Sequence, residues 1–384
     1  MTEFKYYLYD IENPVLENSD IWKKFLPVNR FSERSEQFSI THGDYFSAIK
    51  DFLIKDRFQY LAQALPADFE YQKRKIPENI KSVNIVLEKH GEFYHPARVD
   101  VQLSNIELSF VINAAVSHNG KKCIKQEYNL LNILGKKFPF SFVPEVYAAG
   151  TGLTLTGNEI PMFLGTWFKG YCEFHISGKE KKIMVWDSSR SNPVLSLKQT
   201  QDLYRQAAMI LTCYYDLETF AHIFPWHHGA GDFIVHISDK GIKLKLITVR
   251  NYEPVLLVEG DRDERAVLEA LLVFFLHLSI HIRIDRLDGV GGLAWSDDLA
   301  VKAGFEGFFQ GLKLQVMDSI FPENMPDIFL KYLKAFSEKD LLETAEGIFY
   351  DYPSHAPEIP FIRQNIKSHI NLLGNIINSA SFNM

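Results

Sequence analysis

The feature that most constrains this chain is a change in hydrophobic period along its length. From Val83 to about Ser177 the apolar residues alternate: NIVLEKHGEFYHPARVDVQL does so on both sides of an HGEF turn, and ELSFVINAAVS reads as a further strand. FVPEVYAAG and IPMFLGTWFKGYCEFHIS read as two more. Between them KKCIKQEYNLLNILGKKF repeats apolar residues at Ile124, Tyr128, Leu131 and Leu134, a helical spacing. After Ser177 the period is mainly helical. Strands gathered in one stretch and helices in the next must form separate layers, so the expected class is α+β.

Three segments follow from this texture. Residues 1–80 read as a helical N-terminal extension, with a helical pattern from Asp44 to Leu65 closed by Pro66. Residues 81–177 form a strand-rich lobe, and residues 178–384 a helical lobe. In the last, LKQTQDLYRQAAMILTCYYDLETFAHIF carries a stripe of Leu203, Ala207, Ile210, Leu211 and Tyr214 and is expected to run as one helix into PWHHGAGDF. FIVHISDKGIKLKLITV then reads as a hairpin about SDKG.

Composition narrows the function classes. With 384 residues, 46% hydrophobic and 14% aromatic, the chain can bury a large core in two lobes. A net charge of -7 gives no footprint for nucleic acid, which needs clustered Lys and Arg. Three cysteines, Cys123, Cys172 and Cys213, fit a reducing compartment, and MTEFKYYLYD lacks the pattern of a signal peptide, so a cytoplasmic location is expected. The longest apolar run, AVLEALLVFFLHLSIHI, is broken by Glu269, His277 and His281 and is short for a membrane span. It is expected to be a buried core helix.

The stretch richest in chemistry is IFPWHHGAGDFIV, with His227, His228 and Asp232. His228 or Asp232 suits a general base, and Arg250 downstream suits a bidentate grip on a carboxylate or phosphate. Plainer roles fit the same residues. The histidines can cap a helix C-terminus, Asp232 can bond nearby backbone, and Arg250 can be an ion-pair partner of Asp232 or Glu253. A metal site on His175, His227, His228 and Asp232 is disfavoured: adjacent histidines in extended chain point to opposite faces, and neither a His-x-x-x-His on a helix nor a cysteine pair is expected to strengthen the case. There is no Gly-x-Ser-x-Gly elbow, and GVGGLAW follows a helix, not a strand, so neither a hydrolase nor a dinucleotide fingerprint is expected.

The order hairpin, strand, glutamate-bearing helix, two strands, long helix, loop, hairpin and helical remainder resembles the protein-kinase-like superfamily. Within it the chain is most similar to the branch of aminoglycoside and choline kinases, over roughly residues 83–320. The resemblance implies a two-lobed fold, a small antiparallel-sheet lobe and a larger helical lobe, with ATP and Mg2+ as cofactors and a small-molecule ligand between the lobes. LEKHGEFYH then stands at the nucleotide loop with His90 and Tyr94, and Asn113 in SFVINAAV stands nearest the phosphate-binding lysine. Glu127 matches the helix glutamate. Arg98 on the hairpin, and Glu173 with His175 in CEFHIS, complete the implied ligand-binding set with His227. The metal-binding positions depart from the family, since LITVRNYEP offers Thr248 and Arg250 where the pattern has an aspartate, and His228 and Phe233 fall at the catalytic aspartate and the asparagine in one register. In the other register Asp232 is the acid.

Two readings follow. One is an atypical enzyme that binds a nucleotide or phosphorylated small molecule and performs a non-standard phosphoryl or nucleotidyl transfer. The other is a catalytically inactive, pseudokinase-like scaffold for a ligand or a protein partner. An enzyme needs Asp232, His228 and Arg250 converging in an open pocket, whereas an inactive scaffold fills that space with its own aromatics, such as Tyr94, Trp226 or Phe233.

Overall fold

The computed structural model describes residues 2–9, 13–27, 40–65, 76–91, 93–104, 106–186, 192–227, 231–255, 263–289, 291–350, 352–353 and 356–381. The chain divides into two compact units, residues 1–135 with 144–169, and residues 136–143 with 170–384.

The first unit is built on a six-stranded sheet: β1 (Glu3–Leu8), β2 (Ser82–Leu87), β3 (His95–Gln102), β4 (Glu107–Ala114), β5 (Val146–Leu153) and β6 (Glu159–Thr166). Its spatial order is β1-β2-β3-β4-β6-β5. The alternation read from sequence is visible in the burial of β3, where every second residue from His95 is buried. Val83, Ile85, Ala97, Val99, Phe110 and Ile112 thus share one face and one core with Phe46, Ile49 and Phe52 of α2 (His42–Ile54). Two devices fix α2 there. Thr41 and Asp44 form a capping box, the Asp44 N–H donating to Thr41 Oγ1 at 3.0 Å and the Thr41 N–H to Asp44 Oδ2 at 3.1 Å. At Gly152 on β5 any Cβ would stand 1.9 Å from the Ala48 carbonyl oxygen, so only glycine admits this approach.

Residues 1–80 differ from an all-helical extension in one respect. Glu3–Leu8 is a strand, paired parallel to β2 with Glu3 opposite Ser82. Its partner lies some 80 residues away in sequence, so no local turn announces the pairing. The other strand pairs of this sheet are antiparallel. The glutamate-bearing helix α3 (His118–Lys137) follows β4 as the sequence spacing predicts.

The second unit holds a four-stranded sheet of β7 (Cys172–Ser177), β8 (Lys182–Trp186), β10 (Phe233–Ser238) and β11 (Gly241–Leu246), in the order β11-β10-β7-β8. The SDKG hairpin closes with Ser238 opposite Gly241, as predicted. CEFHIS, counted with the strand-rich lobe in sequence, instead pairs Glu173 with Ile234 of β10 and belongs to this unit. The long helix also ends sooner than its apolar stripe suggests: α4 (Leu197–Cys213) stops, and the chain turns into a short strand, β9 (Ala221–Ile223), which pairs with β12 (Tyr252–Pro254). Tertiary bonds explain the stop. Tyr214 Oη accepts the N–H groups of Phe142 and Val143 at 3.2 Å and donates to the Phe140 carbonyl at 3.0 Å, while Asp216 takes the Glu218 N–H and the Thr219 hydroxyl to form a turn. These strands stand among helices α5 (Glu264–His281), α6 (Leu299–Met317), α7 (Met325–Leu333), α8 (Glu338–Ile348) and α9 (Glu358–Ser379). α4 packs against α6 at Gly307, where a Cβ would fall 2.0 Å from the Arg205 carbonyl oxygen.

No described helix is long and apolar enough to cross a membrane. The α+β composition, the six-stranded sheet with its helix, and the helical remainder carrying a loop and hairpin fit a two-lobed kinase-like fold.

Candidate functional site

The loop before β10 ends in Gly231, whose φ of +86° lies where a side chain is strained, and Asp232 follows it into the strand register. Asp232 is buried, its side chain 3% exposed. Both carboxylate oxygens are engaged. Oδ2 accepts the His227 N–H at 2.8 Å and Arg250 Nη1 at 2.8 Å, and Oδ1 accepts Arg250 Nη2 at 2.5 Å. The Asp232 carbonyl also accepts the Ile247 N–H at 2.8 Å. One residue therefore ties the start of the loop, the start of β10 and the segment after β11 together. A fork-to-fork guanidinium–carboxylate pair of this kind is among the stronger charge-assisted contacts.

Aromatic rings stand next to the pair in sequence. Phe233 is fully buried, opposite Leu246, and meets the buried Trp226 edge-on at 6.2 Å. His227 is half-buried; burial pushes its pKa down, and the carboxylates of Asp232 and Asp285 partly oppose that. His228 lies outside the described residues. On β7, Glu173 and the buried His175 stand 3.7 Å apart. The His175 ring lies 4.1 Å from that of Trp186, and its Nδ1 would be 2.5 Å from any Cβ at position 289, which Gly289 leaves free.

In the first unit the sheet face away from the core is polar. Arg98 Nη1 pairs with Glu88 at 2.9 Å and Arg98 Nε with Asp100 at 3.0 Å, while Ser109 donates to Asp100 Oδ1 at 2.6 Å. The guanidinium lies 5.7 Å from the Trp167 ring. Burial raises the Glu88 pKa, with Arg98 pulling the other way. Asn113 is half-buried on β4 between Pro96 and Phe163. Glu127 is buried on α3 beside Ile124 and Leu131. Tyr94 points its ring edge toward Phe163 at 6.5 Å. His90 does not stand with these: its ring lies 5.1 Å from His95 and 6.2 Å from His42. His42 Nδ1 bonds the Lys24 carbonyl at 2.8 Å and His95 Nε2 the Pro27 carbonyl at 2.9 Å. The sequence-predicted residues thus form a loop group, a β7 group, a sheet-face group and a histidine group, each within one unit.

A fifth group, absent from those expectations, is the largest set of buried titratable rings in the second unit. His277 and His281 stand one turn apart on α5, their rings 4.4 Å apart, and His222 of β9 lies 5.4 Å from His277. Phe224 meets His277 at 4.5 Å and His281 at 4.8 Å, and His277 Nε2 shares a 2.9 Å hydrogen bond with Tyr352 Oη. Burial pushes His222 down to about 4 and His281 to about 3, so both are neutral near pH 7. The signal was present in sequence as His277-x-x-x-His281, a helical pair within an apolar run. It corrects the expectation that no such pair exists. Even so, no group of three or more His, Cys, Asp or Glu among the described residues is arranged to hold a metal ion.

No family model matches the chain. No curated protein matches it. Among solved structures it is similar to the PAN3 pseudokinase of Drosophila melanogaster, at 9% identity over 74% of this chain and 63% of that one, with a TM-score of 0.27. The chain therefore spans less than two thirds of the PAN3 chain. It is also similar to WaaP in complex with acyl carrier protein, at 10% identity over 77% of this chain and 97% of that one, with a TM-score of 0.25. At such scores the fold is argued from the chain's own topology, not from either neighbour.

Proposed function

We propose that this chain is a kinase-like protein, on the plan of the aminoglycoside and choline kinases, that works as a catalytically inactive binding scaffold and not as a magnesium-dependent phosphotransferase. The observation that carries this reading is the Asp232–Arg250 pair. A carboxylate serves as a base or metal ligand through a free lone pair, and three of the roughly four acceptor sites of Asp232 are taken, two on Oδ2 by the His227 N–H and Arg250 Nη1 and one on Oδ1 by Arg250 Nη2. That guanidinium also supplies the positive charge a divalent cation would bring. Thr248 and Arg250 stand where the family pattern has its metal aspartate, and Asn113 where it has its lysine, so the donors present do not fit Mg2+ with ATP. The buried rings of Trp226 and Phe233, which meet edge-on next to the loop, support the same reading.

A cytoplasmic setting belongs to the same proposal and is supported by Cys123, Cys172 and Cys213 being free thiols. The test is a thermal-shift titration with ATP, ADP, GTP and AMP, each with and without magnesium, on the native protein, Asp232→Ala and Arg250→Ala. A ligand that binds the native state alone raises the melting temperature. The proposal expects no magnesium-dependent rise with any nucleotide. A magnesium-dependent rise that Asp232→Ala abolishes overturns it and restores the transferase reading.

A further inference from the structure

Beside β9 and β12 the second unit has an open cleft of about 570 Å³, lined by α5 at Val273 and by α8 at Thr344, Gly347 and Ile348. That volume lies in the range of small-molecule sites, about 300–1,000 Å³. His222 lines it. The residue is 3% exposed; the Phe220 backbone stands close enough to one ring nitrogen to favour its proton, and neither nitrogen makes a hydrogen bond of good geometry. A buried polar group without a partner is rare in a folded chain and calls for an explanation. A neutral imidazole presents one donor and one acceptor, so with the Phe220 backbone beside one nitrogen His222 offers the other to whatever fills the space.

The rest of the lining selects the chemistry. Phe224 gives an aromatic ring to the lining, and Val273, Pro254 and Ile348 give further apolar surface. Tyr352, held by its hydrogen bond to His277, stands at the edge. Among the described residues the lining carries one carboxylate, Glu253, and no lysine or arginine, so none of these would compensate a phosphate or carboxylate. We infer that this cavity is a binding site for a small planar aromatic or heteroaromatic molecule, neutral or singly cationic, that hydrogen-bonds His222 and sets any positive group toward Glu253. The inference uses none of the Asp232–Arg250 geometry and stands or falls apart from the proposed function.

Three probes on one ring test it: indole, tryptamine and indole-3-acetate, titrated into the full-length protein while the histidine Cε1–H resonances are followed by NMR. Indole and tryptamine are expected to shift the His222 and His277 resonances saturably, tryptamine at least ten-fold more tightly than indole-3-acetate. Two variants locate the site. His222→Phe keeps a ring while removing both hydrogen-bonding atoms and is expected to weaken indole at least ten-fold. Gly347→Phe places a ring in the cavity from a position where a Cβ meets nothing within 4 Å, so the fold is kept and binding is lost. Absence of saturable shifts with all three probes, binding unchanged in Gly347→Phe, or indole-3-acetate binding as tightly as tryptamine each overturns the inference.

Discussion

One buried histidine group in each unit is held in a different way. In the first, His42 and His95 bond the backbone carbonyls of Lys24 and Pro27, and Tyr45 Oη donates to the His95 carbonyl at 2.8 Å, so the histidines fasten the segment leading into α2 to the sheet. In the second, one carboxylate is closed off by a guanidinium, while His222, beside a cavity, has only the Phe220 backbone near its ring and no hydrogen bond of good geometry. Satisfied groups specify structure; a group left unmet at a cavity is available to a ligand. Position in the family pattern therefore does not tell which polar residues are free, and partners do.

The sharpest way to break this comparison is to open the closed pair. Arg250→Ala leaves Asp232 buried and uncompensated, and is expected to lower unfolding free energy by about 3 kcal/mol in urea titrations, at the low end for a buried pair because Arg250 is 32% exposed. A loss below about 1 kcal/mol would mean the pair is no more than a surface contact.

Acid titration separates the histidines next. His222 has its folded pKa near 4, below the value near 6.5 expected when unfolded, so the unfolded state binds the extra proton between those limits. Stability must then fall as pH drops from about 6.5 toward 4, by about 3 kcal/mol from this residue, at about 1.4 kcal/mol per pH unit. His222→Phe should flatten that slope in pH-dependent denaturation without loss at pH 7. In the first unit, burial also lowers the pKa values of His42 and His95, so acid acts with the same sign there. Their bonds make the difference at neutral pH: His95→Phe is expected to cost about 1–2 kcal/mol at pH 7, as a lost buried hydrogen bond does. If His222→Phe costs as much at pH 7, the contrast between the two groups is wrong.

The smallest effect belongs to the sheet face. Arg98 is 33% exposed and shared between Glu88 and Asp100, so Arg98→Ala should cost at most about 1 kcal/mol, with the loss shrinking further in 1 M salt.

What the sequence disclosed follows the range of the interactions. The SDKG hairpin and the helix of Ile124, Leu131 and Leu134 rest on contacts within a few residues, and period and turn chemistry announce them. The parallel pairing of Glu3–Leu8, the membership of Cys172–Ser177 in the second sheet and the stop of α4 at Cys213 depend on partners dozens of residues away. The same holds for the site. Asp232 and Arg250 stood out by type and their pairing was one of the roles open to them, but the choice of Asp232 over Glu253 is a tertiary fact. His277 and His281 were hidden in an apolar run whose period spoke only of burial.

The most direct test of the central claim is water-proton relaxation of Mn2+ with ATP, since manganese takes the same carboxylate and water ligands as magnesium. The account predicts no relaxation enhancement on adding the native protein, because the guanidinium of Arg250 already holds Asp232. Enhancement in the native protein that disappears in Asp232→Asn would contradict it.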